Sequence, residues 1–277
     1  MLKCGITGAT GVLGRRIIKK LPYKFFIFKK NIENSKKVQK WVNSNKLDII
    51  LHLAAIVPIN KVNKNFNKAK SVNIYGTKNL VRAILKTTNP PKWFFYASTS
   101  HVYPSSFKKK KFSENYKVKP YSQYGKTKLE GEKIIKKNFK NKKINFCIGR
   151  IFSFTDQNQK KPFVIPSLIS KIKYTKQRQV KFSNLNHYRD FLSTDDIALA
   201  IKILSKFRKK GIYNIGSGRE INLKKIAEII AKKYRKKISF EKDNKPTFLV
   251  SNSGKLKKLG WKPKKFKNNI SYFYSNA

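Results

Sequence analysis

Acidic residues are scarce in this sequence of 277 residues, because 13 Asp and Glu stand against 65 Lys and Arg and give a formal net charge of +52. Cysteine is scarcer still, and only Cys4 and Cys147 occur. Two cysteines in apolar, strand-like segments exclude a disulfide framework and indicate buried, reduced thiols in a cytosolic protein. No Cys/His spacing is typical of a zinc site, so we expect no metal.

Long apolar runs are also missing. Hydrophobic residues make up 40% of the chain, but none of their runs reaches the roughly 18–20 residues of a membrane span. The stretch MLKCGITGAT at residues 1–10 has neither the basic nor the apolar segment of a signal peptide. We therefore expect a cytoplasmic protein without a membrane span, long enough for one large domain or two small ones that share a core.

The excess of lysine allows more than one interpretation. A polyanion such as nucleic acid is one candidate partner for so basic a chain. The lysines, however, are spread over nearly every predicted surface segment, often beside asparagine, and form no single stripe. This pattern favours a compositional bias toward AT-rich codons over a nucleic-acid partner. Part of the charge would also suit an anionic substrate, and the sequence does not separate these interpretations.

The chain does contain a regular alternation of short apolar strands and amphipathic helices. Strands are predicted at 2–7, 23–28, 47–55, 92–98 and 144–152, and helices at 12–21, 35–42, 68–87 and 121–137. This order predicts an α/β fold with a Rossmann-type, doubly wound parallel sheet, whose ligands bind beyond the carboxyl ends of the strands. We assign residues 1–155 to a dinucleotide-binding domain and residues 156–277 mainly to a smaller substrate-binding lobe, with later strands from about 184–216 returning to the first domain.

The segment GITGATGVLG lies across the end of the first predicted strand and the start of its helix. Its glycines are three residues apart, at Gly5, Gly8, Gly11 and Gly14. Residues without Cβ permit a tight turn and a close approach of the backbone to a pyrophosphate, and the free N–H groups of a helix N-terminus bind phosphate. The loop predicts a dinucleotide site with contacts from Gly8, Thr10, Gly11, Val12 and Leu13.

The end of the second strand bears on which dinucleotide binds. A carboxylate at this position would accept hydrogen bonds from the adenosine ribose hydroxyls. The sequence here is FIFKKN, which places Lys29 and Lys30 where the carboxylate would stand. Two lysines suit a ribose phosphate, so the residues slightly favour NADP over NAD, although lysines are common throughout this chain.

Eight motifs, spread over nearly the whole chain, together resemble the extended short-chain dehydrogenase/reductase family of nucleotide-sugar epimerases, dehydratases and reductases. They are TGATGVLG (7–14), LHLAA (51–55), VNIYGTKNL (72–80), ASTSHVYP (97–104), PYSQYGKTKLEGE (120–132), RDFLSTDDIA (189–198), YNIGSG (213–218) and LKKLGWKP (256–263). The set is specific for the family and much less specific for the reaction.

The resemblance implies roles for a Tyr/Lys pair spaced four residues apart on one helix. Tyr124 is expected to act as acid and base, Lys128 as the ammonium that favours its phenolate, and Thr99 as the hydroxyl that orients the substrate. A phenol has a pKa of roughly 10, so a nearby positive charge would bring it closer to neutral pH.

The resemblance extends, with less force, to cofactor and substrate contacts. Further cofactor contacts are expected from Lys29, Leu53, Ala54, Ala55, Tyr124, Lys128 and Phe152, with Phe152 against the nicotinamide. Substrate contacts are expected from Thr99, Ser100, His101, Tyr124, Ser153 and Arg189. Arg189 matches an arginine that meets the substrate diphosphate, and a surface ion pair with Asp190 is its alternative. Asn73 is expected to brace the strand edges near the site.

The implied activity is hydride transfer between NAD or NADP and a nucleotide-activated sugar, at sugar C4, by a 4-keto-sugar reductase or a 4-epimerase. A homodimer is expected by analogy with relatives. Carboxylates directly follow the threonine in the sugar 4,6-dehydratases of the family, whereas Ser100 and His101 follow it here. We therefore expect no 4,6-dehydration. The alternative is a non-catalytic dinucleotide-binding protein whose basic surface holds nucleic acid or an acidic partner.

Overall fold

The computed structural model describes residues 1–241 and 245–264. Its strands are β1 Lys3–Thr7, β2 Lys24–Phe28, β3 Ile49–His52, β4 Trp93–Thr99, β5 Lys111–Phe112, β6 Asn145–Ile151, β7 Ser153–Thr155, β8 Gln179–Phe182, β9 His187–Arg189, β10 Phe191–Ser193, β11 Gly211–Ile215, β12 Ile221–Asn222, β13 Lys237–Phe240 and β14 Thr247–Ser251. Its α-helices are α1 Val12–Lys20, α2 Ser35–Ser44, α3 Ile59–Lys64, α4 Phe66–Lys70, α5 Gly76–Lys86, α6 Gln123–Phe139, α7 Val164–Tyr174, α8 Thr194–Lys206, α9 Leu223–Lys233 and α10 Gly254–Lys257.

Six strands form the central sheet, in the order β11-β6-β4-β3-β1-β2. Every neighbouring pair in it is parallel. The order reverses direction around β1, as in a doubly wound fold, and all carboxyl ends lie along one edge. The predicted Rossmann-type α/β fold is confirmed. The strand β11 joins the sheet beside β6, within the segment expected to return to it.

The central strands are buried on both faces because helices cover each side. Successive residues of β3 alternate between the two layers: Ile49 and Leu51 face the cluster formed with α1 and α8, and Ile50 faces the cluster formed with α2, α5 and α6. Cys4 and Cys147 are buried in the first of these layers as free thiols. Burial raises the pKa of both thiols, which leaves them protonated and unreactive.

Residues after β7 build a separate hydrophobic cluster. The helices α7 and α9 pack together over it, with Ile169, Ile172, Ile226 and Ile230 among its buried side chains. Two small sheets accompany the cluster, ordered β12-β9-β14-β5 and β13-β8. The assignment of 156–277 as a substrate-binding lobe stays a prediction.

The helix predicted at 68–87 differs from the structure in one respect. The chain forms α4, then a π-helical turn at Ser71–Tyr75, then α5, and the short helix α3 precedes them. The wider turn contains Asn73, which is buried, and π-helical turns often accompany functional sites. Among the described residues, no helix combines the length and the apolar character required to cross a membrane.

Candidate functional site

The glycine loop is a backbone feature fixed by close packing. Gly8 has a φ of +76°, and a Cβ there would lie 2.6 Å from the Ala54 backbone nitrogen. Gly14 allows α1 to approach the turn, since a Cβ would collide with the Gly8 carbonyl oxygen. Gly11 is the N-cap of α1 and makes no side-chain cap hydrogen bond. The first N–H groups of α1 therefore lack a capping side chain, as a phosphate cradle requires.

The segment after β3 lies beside this loop. The Leu53 backbone N–H donates to the Thr7 carbonyl oxygen (3.1 Å), and the Ala54 N–H donates to the Thr7 hydroxyl oxygen (3.4 Å). Leu53, Ala54 and Ala55 are half-buried, and their position brings them together with Gly8 at one sheet edge. Thr10 and Gly11 are exposed, and Val12 and Leu13 are half-buried at the start of α1. The predicted cofactor residues of the first and third strands thus form one surface.

Lys29 and Lys30 follow β2, and both are exposed. The neighbouring carboxylate, Glu33, forms an ion pair with Lys68. The two lysines stand at the carboxyl end of the strand next to β1, where a ribose substituent would be met.

A buried histidine, His52 at the end of β3, is hydrogen-bonded to Thr7, which directly precedes the glycine turn at Gly8. The Thr77 hydroxyl donates to the Asn73 carbonyl oxygen (2.7 Å), so it accepts from His52 Nε2 at 2.9 Å. His52 Nδ1 then accepts from the Thr7 hydroxyl at 2.7 Å. Burial lowers the pKa of His52 to about 3, with a smaller contribution from Lys128. This neutral imidazole connects β1 to α5.

Asn73 connects the same region to α6. Its side chain accepts from the Ile56 N–H (2.7 Å) and donates to the Ile56 carbonyl oxygen (3.2 Å) and to the Thr127 hydroxyl oxygen (3.1 Å). Thr127 in turn donates to the Tyr124 carbonyl oxygen (2.8 Å). The role predicted for Asn73, a brace beside the site, agrees with these bonds, although they join the β3 loop to a helix and not to a second strand.

Local sequence explains how α6 brings Tyr124 to the end of β4. Ser122 caps the helix by accepting from the Gly125 N–H at 3.1 Å. Gly125 then permits contact with the 3₁₀ turn at Ser100–Val102, because a Cβ would collide with the His101 carbonyl oxygen. The Thr99 side chain, 6% exposed, lies close enough to the Tyr124 phenol to oppose the rise of its pKa. The structure therefore brings Thr99 and Tyr124 together.

Burial sets the direction in which the pKa of each member of the Tyr/Lys pair shifts. Burial raises the pKa of Tyr124, and the nearby Thr99 side chain is what opposes the increase. Lys128 is 2% exposed, its Nζ lies 4.0 Å from the centre of the Tyr96 ring, and burial lowers its pKa to about 7. Burial thus disfavours the charged form of each group. The role expected of Lys128, as the ammonium that favours the Tyr124 phenolate, stays a prediction.

The predicted substrate residues gather around His101. Its Nδ1 lies 3.1 Å from the Tyr121 hydroxyl, and its ring contacts Tyr124 with 6.0 Å between centroids. Burial, and then the charge of Arg189, lower the pKa of His101 to about 4. Tyr121, which the sequence did not single out, is 55% exposed at this position and is the residue that sequence reasoning missed on the substrate side.

The Arg189 side chain is hydrogen-bonded to groups other than its neighbour Asp190. The guanidinium donates to the carbonyl oxygens of Tyr188 and Thr247, both at 2.9 Å, and to the Thr247 hydroxyl oxygen at 3.0 Å. Asp190 is buried and instead accepts from the N–H and hydroxyl groups of Ser217 and Ser251. The alternative, a surface ion pair between Arg189 and Asp190, is therefore not formed.

Two further predicted residues lie deeper than expected. Phe152 is 2% exposed and packs near Tyr103, with 6.1 Å between ring centroids, so it offers almost no surface to a nicotinamide. Ser100 is also 2% exposed, whereas Ser153 in β7 is half-buried. No group of three or more His, Cys, Asp or Glu side chains within residues 1–241 and 245–264 is arranged to hold a metal ion.

A surface cavity of about 530 Å³ adjoins the start of α1. Val12, Arg15, Arg16 and Asp156 are among its lining residues. Arg16 forms an ion pair with Asp156 at 3.4 Å, and Arg15 donates to the Thr10 carbonyl oxygen. A larger cavity of about 620 Å³, lined in part by Ser167 and Tyr174, lies on α7 and contains no predicted site residue.

A glycine loop before a parallel-sheet helix, together with a Thr/Tyr/Lys set at the end of β4, defines the extended short-chain dehydrogenase/reductase class. Within this class, the model of the GDP-mannose 4,6 dehydratase family matches residues 7–271. The chain belongs to that family, and the predicted resemblance to the extended short-chain dehydrogenase/reductase family is confirmed.

Three curated relatives differ in their named reactions. The chain is similar to a dTDP-D-glucose 4,6-dehydratase of Bos taurus, at 27% identity over 90% of this chain and 72% of the relative. It is similar to a putative UDP-glucose 4-epimerase of Methanocaldococcus jannaschii, at 25% over 93% and 92%. It is also similar to a dTDP-4-dehydro-6-deoxyglucose reductase of Escherichia coli, at 26% over 87% and 78%.

A solved structure shares the fold over its full length. The structure of RMD from Pseudomonas aeruginosa complexed with NADPH superposes with a TM-score of 0.87 at 19% identity, covering 99% of this chain and 97% of the other. Family membership thus defines the fold and the set of reactions, while the particular reaction depends on residues of this chain.

Proposed function

We propose that this protein is an NAD(P)-dependent enzyme that transfers a hydride at C4 of a nucleotide-activated sugar, as a 4-keto-sugar reductase or a 4-epimerase. One observation carries the proposal: Thr99, at the carboxyl end of β4, lies close enough to the Tyr124 phenol to affect its pKa, and Lys128 follows one helical turn further along α6. The relatives named above include enzymes of both kinds.

The residues of the glycine loop fit a dinucleotide. Gly8 leaves a space that a Cβ would fill, and the N-terminus of α1 lacks a capping side chain. Gly8, Thr10, Gly11, Val12 and Leu13 would hold the pyrophosphate, and Leu53, Ala54 and Ala55 would line the adjoining surface. The bound cofactor supplies the hydride. Lys29 and Lys30 support a preference for NADP, which is part of the proposal.

Tyr124 would accept the proton of the sugar hydroxyl during oxidation, or donate its own proton to the carbonyl oxygen during reduction, and Thr99 would hold that oxygen in line. Such a general acid must lie within hydrogen-bonding reach of the reacting oxygen, a position that the Thr99 contact marks. In its ammonium form, Lys128 would stabilise the phenolate that remains after proton donation. Arg189 would bind the diphosphate, since it reaches the surroundings of His101 and Tyr121.

The residues after Thr99 support a reductase or an epimerase over a 4,6-dehydratase. Elimination of water needs an acid for the leaving hydroxyl and a base for the C5 proton. Ser100 is buried and poorly basic, and His101, with a pKa of about 4, is a neutral imidazole at neutral pH and therefore a poor acid. The family is named for 4,6-dehydration, and the residues after Thr99 are where this chain would depart from that reaction.

Product analysis tests the proposal. Purified protein is incubated with UDP-, GDP- and dTDP-hexoses and their 4-keto derivatives, with each nicotinamide cofactor. The products are separated by chromatography and their masses are measured by mass spectrometry. We expect gain of two hydrogens by a 4-keto sugar, or an isomer of unchanged mass. A product that has lost one water at an enzymatic rate would contradict the proposal. Absence of every product, together with tight salt-dependent RNA binding, would favour the non-catalytic alternative.

The homodimer implied by relatives, and a cytoplasmic location, remain predictions. The exposed positions along α6 include Lys126, Lys133 and Lys137. Two copies facing each other through this helix would bring like charges together, so the dimer is expected to weaken at low salt. Sedimentation at two ionic strengths measures this.

A further inference from the structure

The buried face of α6 carries a third ionisable residue, Glu132, one turn beyond the Tyr/Lys pair. Tyr124, Lys128 and Glu132 are spaced four residues apart and lie on one side of the helix. We call these three residues the α6 row. Lys128 is 2% and Glu132 0% exposed, so both ionisable groups are removed from water. An unpaired buried carboxylate is costly, and its position therefore requires an explanation.

Two residues of the sheet fix the Glu132 carboxylate. Arg150 in β6 donates through Nε to Oε1 (3.0 Å) and through Nη2 to Oε2 (2.8 Å), which is a bidentate pair. Ser98 in β4 donates to Oε1 at 2.6 Å. Arg150 is itself held, since its Nη1 donates to the Tyr103 hydroxyl and the Glu114 carbonyl oxygen, both at 3.1 Å. Glu132 therefore has one defined position.

The helix is also held against the sheet at this position. A Cβ on Gly131 would collide with the Tyr96 hydroxyl, and that hydroxyl donates to the Lys128 carbonyl oxygen at 3.4 Å. Lys128 Nζ in turn lies over the Tyr96 ring. The ammonium thus has an aromatic face on its β4 side, which favours a cation without replacing the lost hydration.

The titratable groups around Lys128 come from four elements. His52 on β3 is neutral, Tyr96 on β4 and Tyr124 on α6 are phenols, and Glu132 on α6 is paired with Arg150 on β6. Lys136 also approaches Glu132, at 3.9 Å. Of these groups, Glu132 is the anion. The pKa of Lys128 falls to about 7 through burial, and the charge of Glu132 opposes that fall.

We propose that Glu132, held by Arg150 and Ser98, is a positioning residue that keeps Lys128 in its ammonium form for proton transfer at Tyr124. The inference rests on the proposed function, because it assigns a purpose to the lysine of the catalytic set. Glu132 touches neither substrate nor cofactor in this assignment. It acts through the charge state of its neighbour one helical turn away.

The charge state of Lys128 can be measured without any turnover. In protein labelled with [ε-¹³C]lysine, the Lys128 signal is identified as the one absent from Lys128→Met, and its titration is followed by NMR. Glu132→Gln is expected to move the titration midpoint down by about one pH unit or more, the size of shift caused by a nearby opposite charge. Glu130→Gln, which removes an exposed glutamate of the same helix paired with Lys133, is the control and should leave the midpoint unchanged. An unchanged midpoint in Glu132→Gln overturns the proposal.

A second variant covers the case in which Glu132→Gln does not fold. Glu132→Gln leaves the Arg150 cation buried without its partner, which is strongly destabilising. The double variant Glu132→Gln/Arg150→Gln removes both charges. A downward shift of the Lys128 midpoint is expected in it as well, smaller than in Glu132→Gln because the repelling Arg150 cation is also gone. A midpoint equal to that of the wild type in a folded double variant also overturns the proposal.

Turnover then separates a charge effect from a structural one. The alkaline limb of the kcat/KM profile should move to lower pH in Glu132→Gln by the same amount as the NMR midpoint. A lower rate at every pH with an unmoved limb would mean that Glu132 only maintains the fold, and would overturn the proposal. Suppose that the wild-type protein lacks turnover but the Lys128 midpoint still moves down in Glu132→Gln. This result would refute the proposed function and would leave the effect of Glu132 on Lys128 established.

Discussion

The glycine loop and the α6 row lie at the same sheet edge but are held by different forces. The loop is made of backbone: Gly8 has a left-handed φ and lies against Ala54, with no room for a side chain. The α6 row is made of side chains, whose charges are set by burial and by Glu132. A steric site should fail when one atom is added, whereas an electrostatic site should fail when one charge or proton is removed.

The largest effect is expected from the phenol of the α6 row. Tyr124→Phe removes the one hydroxyl that can exchange a proton with the sugar, so turnover should fall about 10²–10⁴-fold, the usual contribution of a positioned acid or base. Cofactor affinity should change by less than about threefold, because the contacts of the glycine loop remain. Steady-state kinetics and a fluorescence titration of the reduced cofactor measure the two effects. Tyr75→Phe, at an exposed tyrosine, is the control. A near wild-type rate in Tyr124→Phe would remove this residue from the mechanism.

The second effect breaks the loop by adding one carbon. Gly8→Ala forces a Cβ to within 2.6–2.8 Å of the Ala54 and Leu53 backbone at a positive φ, so the turn must shift. The cost is expected to be about 2–4 kcal/mol of unfolding free energy, with cofactor affinity reduced by tenfold or more. Urea unfolding and the same fluorescence titration report on it. Gly254→Ala serves as the comparison, since its Cβ would meet only the Asn252 side chain, and a loss as large there would show that the effect is not specific to the loop.

Sequence predicted the loop better than the row, for a physical reason. Glycine spacing and strand alternation are local patterns, and they predicted the parallel sheet, the turn at Gly8 and the helix that bears Tyr124. The Glu132–Arg150 pair is not local, because α6 and β6 meet only after the sheet has formed. The same holds for Asp190, whose partners Ser217 and Ser251 lie 27 and 61 residues away. Burial, which raises the pKa of Tyr124 and lowers that of Lys128, has no signal in a four-residue spacing.

The third effect concerns the two lysines after β2, beside the glycine loop, where charge and not packing is expected to determine which cofactor binds. Replacing both Lys29 and Lys30 with Ala should weaken NADPH binding by about 10–100-fold and NADH binding by less than about threefold, since each hydrogen bond to a charged group contributes about 1.5–3 kcal/mol. Titrations with both cofactors give the ratio. The matched control is Lys36→Ala/Lys37→Ala, an exposed lysine pair at the start of α2. Equal losses for the two cofactors would mean that the lysines contribute only general attraction.

The smallest effect compares one histidine from each region. His52 lies beneath the loop, bonded to Thr7, and His101 lies beside Tyr124, and burial lowers the pKa of the first to about 3 and of the second to about 4. An unfolded histidine titrates near 6.5, so below that pH the unfolded chain binds protons that the folded protein excludes. Stability is therefore fully present above pH 6.5 and is lost as pH falls toward 4 and 3. Between pH 7.5 and 5.5, each histidine should remove about 1.4 kcal/mol of unfolding free energy.

Urea unfolding at these two pH values checks the sum, and one variant for each region separates the contributions. His52→Asn and His101→Asn lower stability by different amounts at pH 7.5, but each should remove about 1.4 kcal/mol of the pH dependence, because each deletes one proton-binding difference between the folded and unfolded chain. Lys128, whose pKa burial lowers to about 7, adds a separate loss of stability in the same pH window. The lowered carboxyl pKa of Asp156 acts below about pH 4, outside this window. If only His101→Asn flattened the profile, the imidazole under the loop would bind its proton in the folded state. His52 would then donate from both ring nitrogens, so its bond with Thr7 would be reversed, with the Thr7 hydroxyl accepting, while its donation to Thr77 would be unchanged.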